Sequence, residues 1–139
     1  MKPRLRLFSF TLLLTVVLAF KGDKCPVLQF DGIYTFKIDT ESSAVIRFYA
    51  DNVVLVSTSV NDYKQVMTWF NRDPENFSRI LTGKYKRSSK NCSVKFTVKG
   101  ETGEQRYEGQ IISDSLLDLN IFNPATKAKT KRLYKFVKP

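Results

Sequence analysis

Thirteen carboxylates, two cysteines and no histidine make up most of this chain's reactive inventory. Histidine is the side chain whose ordinary pKa lies near neutrality, so no Ser-His-Asp or Cys-His arrangement can be built. Every His-containing zinc site is excluded with it, and Cys25 and Cys92 are too few for an all-thiolate one. No glycine-rich phosphate loop of the dinucleotide or Walker type occurs. What remains is a carboxylate pair of the kind glycosidases use. Most acidic residues fall in turns or at helix starts. Glu108 and Asp118 fall inside strand-like segments, but on the face opposite Tyr107/Ile111 and Leu117/Leu119, and so point to solvent. No catalytic residue, metal ligand or cofactor is expected. The chain reads as a binder, not an enzyme.

The chemistry of the cysteines depends on where the chain works. Lys2, Arg4 and Arg6 precede an apolar run from Leu7 to Phe20, and Val17-Leu18-Ala19 offers the modest side chains a signal peptidase reads. Residues 1–19 are therefore expected to be a signal peptide, with the remainder secreted or periplasmic. A run of about 14 residues is short of the roughly 20 that cross a bilayer as a helix, so no stable membrane span is expected after cleavage. In an oxidising compartment an even pair invites a disulfide, here from the mature N-terminus to the middle of the chain. The alternative is two separate thiols, with Cys92 packed in the core.

Of 23 Lys and Arg residues three lie in the leader, so against 13 acidic residues the mature chain carries about +7. Two clusters hold much of this charge. Lys84, Lys86, Arg87, Lys90, Lys95 and Lys99 lie on one predicted hairpin, and Lys127, Lys129, Lys131, Arg132, Lys135 and Lys138 follow the last turn and strand. If they merge in the fold, an anionic or protein partner with salt-sensitive binding becomes credible. If they stay apart, they serve solubility. No nucleic acid is expected as a partner.

The elements that must position these groups are strands. In residues 92–99, Cys92, Val94, Phe96 and Val98 alternate with Ser93, Lys95, Thr97 and Lys99, giving one dry and one wet face. Similar segments are 33–38, 44–49, 53–58, 82–87, 105–112, 116–121 and 131–137. Their connections are mostly short, and Asp51-Asn52 is a two-residue hairpin turn whose side chains tolerate positive φ. Eight strands joined this way predict an all-β fold, an antiparallel up-and-down meander closing into a small barrel. One insert, 61–80, changes rhythm. Tyr63, Val66, Met67 and Phe70 have helical spacing, Asn61 or Asp62 offers a cap, and Pro74 opens a second short turn. The helix is expected to cover one end or side of the barrel, with Trp69 sealing an end. The plan is thus a signal peptide at 1–19, an N-terminal extension at 20–30 and one barrel domain at 31–139.

The inward register is bulky, which favours a filled interior. Tyr34, Phe36, Phe96, Tyr107, Leu119, Tyr134 and Phe136, with Gly109 leaving room where a strand bends or something approaches closely, are the expected contacts for a small hydrophobic ligand. Export, eight strands and the opening Gly32-Ile33-Tyr34 resemble the lipocalins and the wider calycin group. That group starts its first strand with Gly-x-Trp and packs a late arginine across the ring. Tyr34 stands where the tryptophan would be, and Arg132, before Tyr134, is the counterpart of the arginine. The resemblance implies binding of small hydrophobic molecules without catalysis. The competing reading is a protein-interaction module, an inhibitor or envelope accessory protein, acting through its basic outer face and the helical insert around a filled core.

Overall fold

The computed structural model describes residues 24–60 and 63–139. The expected signal peptide and the cap residues Asn61 and Asp62 lie outside the described residues. Eight strands form: β1 (Ile33–Lys37), β2 (Ser42–Phe48), β3 (Val53–Val60), β4 (Leu81–Ser88), β5 (Ser93–Gly100), β6 (Gly103–Ser113), β7 (Leu116–Phe122) and β8 (Lys129–Val137). Their ends lie within two residues of the positions read from alternation. Each strand pairs antiparallel with its sequence neighbours, and β8 returns to β1, so the meander closes into a barrel without edges. Among the described residues no helix is long and apolar enough to cross a membrane.

Alternation sets the lining. On β5, Val94, Phe96 and Val98 are buried while Lys95 and Lys99 are exposed. The tight β2–β3 turn relies on Asn52, which sits at φ 68°, a conformation its short polar side chain accommodates. Inside, Phe48 takes the edges or faces of three other rings, Tyr34, Tyr85 and Phe96, with centroids 5.1–5.6 Å away. Such edge-to-face contacts add to the burial of the rings themselves.

A second apolar cluster lies on the outer wall. The helix α1 (Tyr63–Trp69) and the residue after it place Val66 and Phe70 against Ile33, Val45 and Leu55, which point outward from β1, β2 and β3. These strands are therefore buried on both faces, which is why 44–46 and 53–56 are continuous apolar runs. The insert covers a side of the barrel. Trp69 does not seal an end as expected; it joins this outer cluster, with the Arg79 guanidinium 5.2 Å from its ring centroid. A one-turn 3₁₀ helix follows at Pro74–Asn76, opened by Pro74 and capped by Asp73, whose carboxylate accepts from the Glu75 N–H.

One end of the barrel is closed by residues 24–30. Leu28 is buried in the main core, and the disulfide between Cys25 and Cys92 ties the segment to the start of β5. The Gln29 N–H donates to the Tyr34 hydroxyl, which donates in turn to the Asp114 carbonyl, while the Val27 N–H donates to the Asp114 carboxylate. This resolves the choice left open by the sequence. The two cysteines are one bridge.

Candidate functional site

The opposite end is open, and the inward register of β8 shapes it. Arg132, Tyr134 and Phe136 alternate along that strand, and Arg132 sits opposite Leu119 of β7 on the side of the wall that faces the core. The β1–β8 ladder extends only from Ile33↔Val137 to Thr35↔Lys135. Beyond it, the Arg132 guanidinium lies 5.1 Å from the centroid of the Phe36 ring, and Phe36 in turn is 6.0 Å from Tyr134.

These residues border a cup of about 380 Å³. Ala44, Val56, Leu81 and Tyr107, all buried, form its apolar floor. Thr58, Arg79 and Thr102, all exposed, stand at its rim with Ile38, and Gln105 and Arg132 complete the wall. The volume falls at the small end of the roughly 300–1,000 Å³ typical of small-molecule sites.

The polar groups at the base of the cup are unevenly satisfied. Tyr107 donates to the Gln105 side-chain oxygen at 2.6 Å. Tyr134 is fully buried beside Tyr107 and Arg132, yet its hydroxyl makes no hydrogen bond of acceptable geometry. Burial pushes the Tyr107 phenol far above its usual range, helped by Tyr134 and opposed by Arg132. Burial likewise raises Tyr134, Tyr34 and Tyr85. The consequence for stability has a definite sign. Above pH 10 the unfolded chain loses phenolic protons that the folded barrel retains, so the folded state binds more protons and stability falls as pH rises. Tyr107 alone is expected to remove roughly 1.4 kcal/mol by pH 11. Urea unfolding midpoints measured from pH 8 to 11 should begin to decline as pH approaches 10 and fall most steeply in the last unit; a flat profile would contradict the burial of these phenols.

The eight residues expected to touch ligand divide between the two ends. Tyr107 lines the cup, and Phe36 and Tyr134 lie beside it. Tyr34 and Phe136 pack together toward the closed end, with ring centroids 5.2 Å apart. Phe96 stacks on Tyr107 at 4.6 Å, and Leu119 is wholly enclosed in the core. Gly109 offers no room. A Cβ there would sit 1.9 Å from the Asp118 carbonyl oxygen, so the space the sequence assigned to a ligand is filled by the β7 backbone. The expected lipocalin-type packing of Arg132 across Tyr34 is also absent, because the ring it faces is Phe36, toward the mouth. By sequence Arg132 groups with the basic cluster of the last strand; its alternation with Tyr134 and Phe136 is the signal that would have placed it on the inward face. Arg79 carried no comparable signal, because it follows an irregular segment.

A shallower trough of about 620 Å³ crosses the outer wall of β5 to β8. Lys95 borders it from one sequence cluster, Lys129 and Lys131 from the other, with Arg106, Glu108 and Phe122 between them. The two basic clusters therefore meet. Part of the charge is neutralised locally, since Arg106 pairs with Glu104 and Lys131 with Asp118, both at 3.3 Å. Among the described residues no group of three or more Cys, Asp or Glu is placed to hold a metal ion.

Neither the family models, the curated proteins nor the solved structures gave a match. The functional reading rests on geometry.

Proposed function

We propose that this protein is an exported, non-catalytic binding protein that takes a small, largely hydrophobic ligand at the open end of its barrel. The observation that carries the reading is the cup itself. The rest of the interior is filled by interlocked rings, while Ala44, Val56 and Leu81 leave an apolar floor beneath an exposed rim. A disulfide that joins distant parts of the chain supports assembly in an oxidising compartment, in keeping with secretion or periplasmic delivery. The lipocalin-like architecture supports the same reading at the level of the fold.

Thr58 gives a direct test, because it is exposed at the rim and pairs with Ala44 across β2 and β3. Thr58→Trp places an indole over the cup without disturbing a buried position. A neutral solvatochromic dye such as Nile red is expected to bind the unmodified protein saturably at one site and to lose at least tenfold in affinity in the variant. Absence of saturable binding, or equal binding by both proteins, would remove the proposal.

The outer trough supports a second reading, an anionic protein partner on the basic face. That reading requires salt-sensitive association that Lys95→Glu with Lys131→Glu abolishes and Thr58→Trp leaves intact. The opposite pattern places recognition at the mouth.

A further inference from the structure

We infer that the trough on the outer wall of β5 to β8 binds an acidic polysaccharide, one whose charged sugars are separated by neutral ones. This site is separate from the cup and does not depend on the ligand proposed there; the glycan takes the place of the acidic protein considered for the same trough. The strand register is the first support. Lys86, Lys95, Glu108, Asn120 and Lys131 are consecutive partners across β4 to β8 and form one outward row. The adjacent row is Lys84, Thr97, Arg106, Phe122 and Lys129. All the cations in these rows are exposed. Arg106 and Lys131 have carboxylate partners, whereas among the described residues Lys84, Lys86, Lys95 and Lys129 take part in no ion pair. Free charge therefore stands at the two ends, on β4 and β5 and again on β8. The steps from β5 to β8 span roughly 14 Å of wall, comparable to a short oligosaccharide.

The second support is a repulsion that folding leaves in place. Lys86 and Lys95 stand directly opposite each other, an arrangement that costs stability in a sheet and that a bound anion would relieve. The middle of the trough then selects the class of polyanion. Glu108 is exposed there, where it would repel an acidic peptide but accept from sugar hydroxyls. Asn120, its partner on β7, can both donate and accept. The Phe122 ring is half-buried, with the Arg106 guanidinium 5.8 Å from its centroid, and an aromatic face suits the C–H face of a pyranose. A flat lipid surface would touch a closed barrel along little more than one strand, whereas a flexible chain can follow the wall across several.

The test compares hyaluronate oligosaccharides, which carry a carboxylate on alternate sugars, with neutral dextran, polyglutamate of equal charge and phosphatidylglycerol vesicles, with binding read by calorimetry. Hyaluronate is expected to bind saturably, about tenfold more tightly than polyglutamate, and to weaken as salt rises; dextran and the vesicles should not bind. Lys86→Glu with Lys129→Glu should abolish hyaluronate binding without lowering the melting temperature, because the first change turns a like-charge pair into a matched one. Glu108→Lys should weaken hyaluronate and strengthen polyglutamate, opposite effects that a purely electrostatic surface would not give. If either variant fails to fold, the order of the probes on the unmodified protein still decides. Polyglutamate or vesicles binding as tightly as hyaluronate would overturn the glycan in favour of an acidic protein or a membrane. Failure of hyaluronate to bind, or its loss in Thr58→Trp, would overturn the site, and neither result touches the dye binding that tests the cup.

Discussion

Replacing Cys25 and Cys92 together by serine is expected to lower unfolding stability by about 4 kcal/mol, from the loss of a covalent loop that spans a sequence separation of 67. The bridge restrains the unfolded chain, and the restraint grows with the length of the loop it closes. It also holds Leu28 under the barrel, where this side chain joins the main core. Freed of the bridge, residues 24–30 keep a few hydrogen bonds, including Val27 to Asp114 and Gln29 to Tyr34. Each contributes about 1 kcal/mol or less on balance, too little to hold a terminus firmly. The urea midpoint of the double variant should therefore match that of the reduced native protein, and both should lie well below that of the oxidised one. Identical midpoints with and without reductant would show that the plug holds without its staple.

Phe48→Ala is expected to cost about 4 kcal/mol, a large fraction of the roughly 5–15 kcal/mol by which a domain is ordinarily stable. Phe48 is fully buried, and Tyr34, Tyr85 and Phe96 surround it. Truncation opens a void that three rings border, and none can enter it without leaving its own partners. Tyr34 is additionally tethered through its hydroxyl to Asp114, and Tyr85 donates to the Tyr49 carbonyl at 2.7 Å. Phe48→Leu, which fills more of the volume, should retain a cooperative transition. A far smaller cost for alanine, read from the same urea titrations, would mean that the interior repacks more freely than its ring contacts imply.

How much of this was legible beforehand varied with the kind of interaction. The strands were, because alternation such as that of Val94, Phe96 and Val98 with Lys95, Thr97 and Lys99 has one physical meaning at every position. The β2–β3 hairpin was legible only in part: a two-residue turn at Asp51-Asn52 was expected, whereas the Tyr49 N–H closes the loop on the Val53 carbonyl and Ala50, Asp51 and Asn52 together turn the chain, with positive φ at Asn52 and not at Asp51. The placement of the insert was harder. Helical spacing shows that Val66 and Phe70 need cover, but not from which surface. The missing clue lay elsewhere in the chain, in the unbroken run Val53-Val54-Leu55-Val56, which signals a strand buried on both faces. Gly109 was legible only in part, because a glycine in a strand marks a close approach without naming what approaches, and here it is the neighbouring backbone rather than a ligand. The cup depends on where small inward residues such as Ala44 fall along the barrel axis. That is set by the stagger between strands, a property of the whole ring that no local window contains.

The short β1–β8 ladder has a consequence for the life of the chain before it is complete. It joins positions 100 residues apart, so closure of the ring must wait for β8 to emerge. The stapled loop from Cys25 to Cys92, by contrast, needs nothing beyond β5. An interrupted product lacking β8 would be an open seven-stranded sheet with two adhesive rims, where the backbone amides of β1 and β7 lie bare. Chains that stop before β8 should therefore yield clumped material rather than a smaller working barrel.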